Sequence, residues 1–95
     1  MHLRGAGREV TTIQSLTSTA ITLYQITNVA ISGLTIKGDF DGISISNTNS
    51  SSITISGNTI TGNRNYSIYN YYSALPPTIT DNIINQGGNG SAISN

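Results

Sequence analysis

The chain has 95 residues, of which only 8% are charged, and its four Lys and Arg residues balance its four Asp and Glu residues. This balance argues against a nucleic-acid-binding protein, which needs a dense basic surface, and against electrostatic docking on an anionic membrane. The absence of cysteine excludes a disulfide framework and a thiolate metal site or nucleophile. No segment approaches the roughly 18 apolar residues of a membrane-spanning helix.

The N-terminal part of the chain carries short β-strand patterns. Residues 3–13 are typical of a strand with a Gly-rich bend, and the polar residues 14–19 predict a turn. Residues 20–31 then alternate, which places Ile21 and Leu23 inward and Tyr24 outward. No segment has a helical periodicity, so we expect an all-β protein.

A fixed period of 24 residues begins after this region. Ile31, Ile55 and Ile79 are 24 positions apart, and so are the equivalent residues of a second column, Ile36, Ile60 and Ile84. Such a period indicates a repeat architecture, here with three short strands per coil stacked as parallel ladders roughly 4.8 Å apart. We therefore predict an all-β solenoid of about four coils of roughly 24 residues. It forms a single domain over residues 1–95, either complete or a fragment of a longer solenoid.

The third strand of each coil is spaced less regularly. Ile45, Ile68 and Ile93 are 23 and 25 residues apart, so we expect the loops to absorb one residue either way. This alignment gives Tyr66 and Ile68 the inward places of Ile43 and Ile45.

The polar columns have structural explanations. Asn58 and Asn82 are expected to stack at one corner, since an amide side chain both donates and accepts hydrogen bonds. A second expected Asn column comprises Asn47, Asn70 and Asn95. Equivalent positions of three coils are occupied by Gly33, Gly57 and Asp81. We expect a sharp bend there with a left-handed backbone, a conformation that Gly tolerates and Asp tolerates less easily.

The sequences ITISGNTITGN at 53–63 and DGISISN at 41–47 resemble the repeat of right-handed parallel β-helix proteins, the pectin-lyase-like superfamily. The resemblance covers residues 28–95 well and 3–27 loosely. It implies a right-handed parallel β-helix, and it implies that any function resides in outward residues and loops rather than in the repeat itself.

The superfamily's lyases and hydrolases use carboxylates, basic residues and sometimes Ca²⁺ on an outer face. The matching residues are Lys37, Asp39, Asp41 and Arg64. The Asp-Gly-Ile at 41–43 resembles polygalacturonase-like hydrolases, but the Asp-Asp pair of those enzymes is missing. Ca²⁺ is the one cofactor to consider, although two carboxylates fall short of its usual six to eight oxygens. The alternative to an active site is that these four residues are solvated turn residues that form a surface ion pair.

A tyrosine cluster is the second candidate site. Alternation sends Tyr69 outward and places Tyr71 and Tyr72 in the loop before two prolines. Exposed tyrosine rings suit sugars, because the aromatic face packs on C–H patches while the hydroxyl forms hydrogen bonds. The plain alternative is that these rings lie on the coil and cover a loop.

Our leading interpretation is a non-catalytic structural or carbohydrate-contacting segment of an extracellular, cell-surface or phage protein, with Tyr69, Tyr71 and Tyr72 as the contact. One alternative is a polysaccharide lyase or hydrolase. Another is a fibre subunit that self-associates through open solenoid ends, or an ice-binding surface on the outward Thr and Ser rows. Residues 1–5 lack the apolar core of a signal peptide, so either the leader has been removed or the chain is an excised piece.

Overall fold

The computed structural model describes residues 2–7, 10–46, 52–62, 65–71, 77–85 and 93–94, and the regular structure in these ranges is β-strand apart from a 3₁₀ conformation at Ser52. The strands are short and β-branched, with apolar and polar residues alternating. In chain order they are β1 (His2–Arg4), β2 (Thr12–Ser15), β3 (Ile21–Tyr24), β4 (Val29–Ser32), β5 (Thr35–Gly38), β6 (Ile43–Ser46), β7 (Ile53–Ser56), β8 (Thr59–Thr61), β9 (Ile68–Tyr71), β10 (Thr78–Thr80), β11 (Ile83–Asn85) and β12 (Ile93–Ser94).

The strands form three parallel sheets of four strands each. Sheet A has the order β1-β4-β7-β10, sheet B has β2-β5-β8-β11, and sheet C has β3-β6-β9-β12. Each coil therefore contributes one strand to every sheet, and the described chain passes through the three sheets four times. This arrangement is a parallel β-helix, and it confirms the predicted solenoid.

The 24-residue period corresponds to the strand register. In sheet A, Ile55 pairs with Ile31 before it and with Ile79 after it. In sheet B, Ile60 pairs with Ile36 and Ile84 in the same way. The inward isoleucines of the central coils are almost wholly buried, whereas Ile79 and Ile84 are half-buried, and fully burying one isoleucine stabilises the fold by roughly 1.5–3 kcal/mol. The buried core comprises Leu23, Val29, Ile31, Leu34, Ile36, Ile43, Ile45, Ile53, Ile55, Ile60 and Ile68.

The bend between sheets A and B has the predicted left-handed backbone. The φ angles of Gly33, Gly57 and Asp81 are 69°, 66° and 55°. The asparagine column at the same corner is also confirmed, because the side chains of Asn58 and Asn82 are hydrogen-bonded to each other.

The first coil differs from the prediction. The segment predicted as one strand is divided, since β1 ends at Arg4 and β2 begins at Thr12, and Gly5 packs closely against Gly33 of the next coil. A Cβ atom at Gly5 would lie 2.2 Å from the carbonyl oxygen of Gly33. Residues 14 and 15 belong to β2, not to a turn, and Gln14 pairs with Lys37 in the outward row.

The register predicted for β9 is wrong by two residues. Ile68 pairs with Ile43, and Asn70 pairs with Ile45. The cause is the connection before β9. Thr61 pairs with Lys37 and Ile68 with Ile43, so residues 62–67 are one residue longer than the equivalent residues 38–42, whereas the predicted alignment required a connection one residue shorter. Asn70 therefore occupies an inward position and is 3% exposed, instead of joining a corner column. The other two members of that expected column, Asn47 and Asn95, lie outside the described residues.

Candidate functional site

The outer surface of sheet C carries Tyr24 and Tyr69. We define the sheet C face by two outward rows, Thr22, Ser44 and Tyr69 in one and Tyr24, Ser46 and Tyr71 in the other. Tyr24 is 60% exposed, and Tyr69 is half-buried. Tyr71 is described through its backbone position opposite Ser46, while its side chain and the whole of Tyr72 lie outside the described part of the chain.

Tyr69 forms a stacked pair with Tyr66. The two ring centroids lie 4.5 Å apart and the ring planes are inclined by 22°. Both residues are half-buried, and such a pair stabilises by about 0.5–1.5 kcal/mol beyond its buried area. The inward position predicted for Tyr66 is therefore wrong. Tyr66 precedes β9, and its ring packs against an outward residue.

The backbone of Tyr66 is fixed by the preceding coil. Its amide N–H donates to Oδ1 of Asp41 at 3.0 Å, and its carbonyl oxygen accepts a hydrogen bond from the amide of Gly42 at 3.0 Å. The side-chain amide of Asn65 donates to the same Asp41 oxygen at 2.9 Å. These bonds hold the stacked tyrosine pair in a defined place on the sheet C face.

Ser44 and Ser46 point outward between the tyrosine-bearing coils and yet are buried. Ser44 is 8% exposed and Ser46 is 3% exposed. Ser44 lies between Thr22 and Tyr69, whereas Ser46 lies between Tyr24 and Tyr71. The serines therefore contribute little accessible surface, and ligand contacts on this face fall mainly to the tyrosines.

The charged candidates of the described chain do not form a single site, because only Lys37 and Asp39 lie together. Lys37 is exposed in the outward row of sheet B, between Gln14 and Thr61. Asp39 follows β5 and is half-buried, with its amide donating to the carbonyl oxygens of Ser15 at 3.1 Å and Ser18 at 2.9 Å. Lys37 and Asp39 share a shallow depression of about 150 Å³, whose other described lining residues are Gln14, Ser15, Leu16, Gly38 and Gly62.

Asp41 is not among the described residues that line this depression. It is 3% exposed, and its carboxylate accepts hydrogen bonds from Asn65 and Tyr66 of the following coil. Its carbonyl oxygen accepts from the amide of Ala20 in the preceding coil at 3.2 Å. Asp41 therefore connects three coils, while Arg64 lies outside the described residues.

Within the described ranges, no group of three His, Cys, Asp or Glu side chains is placed so that it could hold a metal ion. No helix in the same ranges is long and apolar enough to cross a membrane.

A comparison with known protein families identifies the family of this chain. The family described as the right handed beta helix region matches residues 7–95. The chain belongs to the right-handed β-helix family. The fold is accordingly a right-handed parallel β-helix, in agreement with the three parallel sheets. Neither the curated proteins nor the solved structures include a match.

Two tyrosines, Tyr24 on the sheet C face and Tyr66 beside it, were missed as site candidates from the sequence. Tyr24 was correctly expected to point outward, but nothing in the sequence aligned it with the later tyrosines. Tyr66 was missed because the longer connection before β9 shifted its alignment.

Proposed function

We propose that this β-helix is a non-catalytic module that contacts carbohydrate through the sheet C face, at the cell surface or outside the cell. The observation that carries the proposal is the stacked pair of Tyr66 and Tyr69, which shares this face with the largely exposed Tyr24. Tyrosine combines an apolar ring face with a hydroxyl group, which is the combination that a sugar ring needs.

The fixed position of the tyrosine pair supports binding. Tyr66 is held by Asp41 through its backbone, and the ring of Tyr69 stacks on that of Tyr66. A side chain already ordered by packing loses less conformational entropy when a ligand arrives, so more of the contact energy remains as affinity.

The environment of Asp41 supports a non-catalytic function over the lyase or hydrolase alternative. A general acid or base must come within hydrogen-bonding reach of the substrate. Asp41 is buried, and Oδ1 of its carboxylate already accepts two hydrogen bonds from Asn65 and Tyr66. Lys37 is exposed and Asp39 is half-buried, and a hydrolase would need a second carboxylate beside Asp39.

A glycan-binding screen combined with a turnover assay tests the proposal. The wild-type chain should bind at least one polysaccharide without releasing reducing ends or unsaturated uronates. Tyr69→Ala should weaken binding, whereas Tyr69→Phe should retain most of it because the ring is kept. Thr54→Ala on the exposed surface of sheet A is the matched control and should bind like the wild type. A chain that binds no glycan would refute the proposal.

A further inference from the structure

We infer that the carbohydrate is a neutral, extended glycan that lies mainly along the helix axis and contacts Tyr24 and Tyr69 together. This inference rests on the proposed function and specifies its ligand class and orientation. It depends on two properties of the sheet C face, the spacing of the tyrosines and the absence of charged residues at its described outward positions.

The spacing follows from the strand register. Tyr24 in β3 pairs with Ser46, and Tyr69 in β9 pairs with Ser44, so one coil separates the two tyrosines. Two strand spacings correspond to roughly 9.5 Å along the helix axis, and the offset of two residues adds roughly 7 Å along the strands. A single sugar ring cannot reach both tyrosines, whereas an extended chain of a few rings can.

The residues between the tyrosines are small and largely covered. Ser44 and Ser46 have small side chains and occupy the outward positions of β6. They are 8% and 3% exposed, whereas Tyr24 on one flank is 60% exposed. A glycan that spans β6 therefore gains its contacts from the flanking tyrosines rather than from these serines.

The electrostatics of this face favour a neutral glycan. No outward position of β3, β6 or β9 in the described chain carries a charged residue; the positions are Thr22, Tyr24, Ser44, Ser46, Tyr69 and Tyr71. Lys37 belongs to the outward row of sheet B, on a different face of the helix. A polyuronate bound here would give up hydration of its carboxylates without gaining a described cationic partner, which is unfavourable.

A length series of oligosaccharides provides the test. Neutral oligosaccharides of one to six sugar units would be titrated against the wild type, Tyr24→Ala, Tyr69→Ala and the double variant, with uronate oligosaccharides of equal length as the charged comparison. Affinity for the neutral series should rise steeply once the chain is long enough to reach both tyrosines. Each single variant should lower the affinity for long chains roughly threefold to tenfold and leave the shortest chains less affected.

Two further readouts complete the design. Binding should be nearly independent of salt concentration, because no charge pairing is involved. Tyr24→Phe is the matched control, which keeps the ring and should bind long chains almost like the wild type. Circular dichroism and thermal unfolding of every variant would confirm that folding is retained.

The outcomes separate the two claims. Binding of glycans that is insensitive to Tyr24→Ala, independent of chain length, or stronger for uronates and weakened by salt would overturn this inference and leave the proposed function intact. The absence of binding to every glycan tested would refute the proposed function and the inference with it.

Discussion

The side-chain amide of Asn58 donates a hydrogen bond to Oδ1 of Asn82, one coil further along, at 3.2 Å. Asn58 also serves the preceding coil, where its Oδ1 accepts from the amide of Leu34 at 3.1 Å and its Nδ2 donates to the carbonyl oxygen of Ile31 at 3.1 Å. Asn82 makes the equivalent bonds one coil later, where its Oδ1 accepts from the amide of Asn58 and its Nδ2 donates to the carbonyl oxygen of Ile55. Each amide therefore satisfies the backbone of the corner before it.

Asn58→Ala should destabilise the fold strongly. Asn58 is fully buried, and its loss leaves the amide of Leu34 and the carbonyl of Ile31 without these partners. Each buried polar group left unsatisfied costs about 1–3 kcal/mol, so we expect a loss of about 2–5 kcal/mol in urea-induced unfolding. Asn82→Ala is the matched comparison and should cost less, because Asn82 is half-buried and water can replace part of its role. Equal losses for the two variants would contradict this account of the ladder.

Gly33→Ala and Gly62→Ala should differ, although both glycines have positive φ angles. At Gly62, with φ of 77°, an added Cβ meets nothing within 4 Å, so only the left-handed backbone is penalised, by about 1–2 kcal/mol. At Gly33, with φ of 69°, the Cβ would also lie 2.7 Å from the carbonyl oxygen of Gly5. Denaturant unfolding should therefore show the larger loss for Gly33→Ala. If Gly62→Ala were the more damaging variant, the close contact between the first two coils would be refuted.

Asp41→Ala should lower stability more than Asp41→Asn. The alanine variant leaves the Asn65 side-chain amide and the Tyr66 backbone amide without their acceptor, at a cost of about 2–4 kcal/mol. The asparagine variant retains an oxygen at the same position and should recover part of that cost. Thermal unfolding of the two variants checks the order. An alanine variant as stable as the wild type would show that Asp41 does not join the coils.

The sequence predicted sheets A and B well because their connection is short and repeats without change. The isoleucine columns and the left-handed bend at Gly33, Gly57 and Asp81 both follow from this constant spacing. The prediction for sheet C placed β9 two residues out of register with β6. Alternation has a period of two, so a slip of two residues keeps Ile68 inward and leaves the pattern unchanged.

The candidate site could be predicted only in part for the same reason. The alternation correctly placed Tyr69 on the outer face. Its stacking with Tyr66, and the bonds from Asp41 that hold Tyr66, depend on the path of the longer connection before β9. That path is not encoded in residue periodicity. The burial of Asp41 likewise arises from contacts with residues about 25 positions away.

Self-association remains a proposal that the sheet edges support. In the described chain β1, β2 and β3 form one edge of the three sheets, β10, β11 and β12 form the other, and each of these strands pairs on one side only. Edge strands of this kind offer backbone groups to a further strand. Sedimentation of the 95-residue chain should show an average mass that rises with protein concentration. A single monomeric species across the whole concentration range would contradict the proposal.

The most direct test of the proposed non-catalytic function is to recover the glycan after a binding titration and determine its length. We predict that the wild-type chain binds a neutral oligosaccharide and returns it intact, and that Tyr69→Ala binds it more weakly. Recovery of shortened or unsaturated products from the wild type, but not from a folded Asp41→Asn variant, would contradict the account and identify the chain as an enzyme.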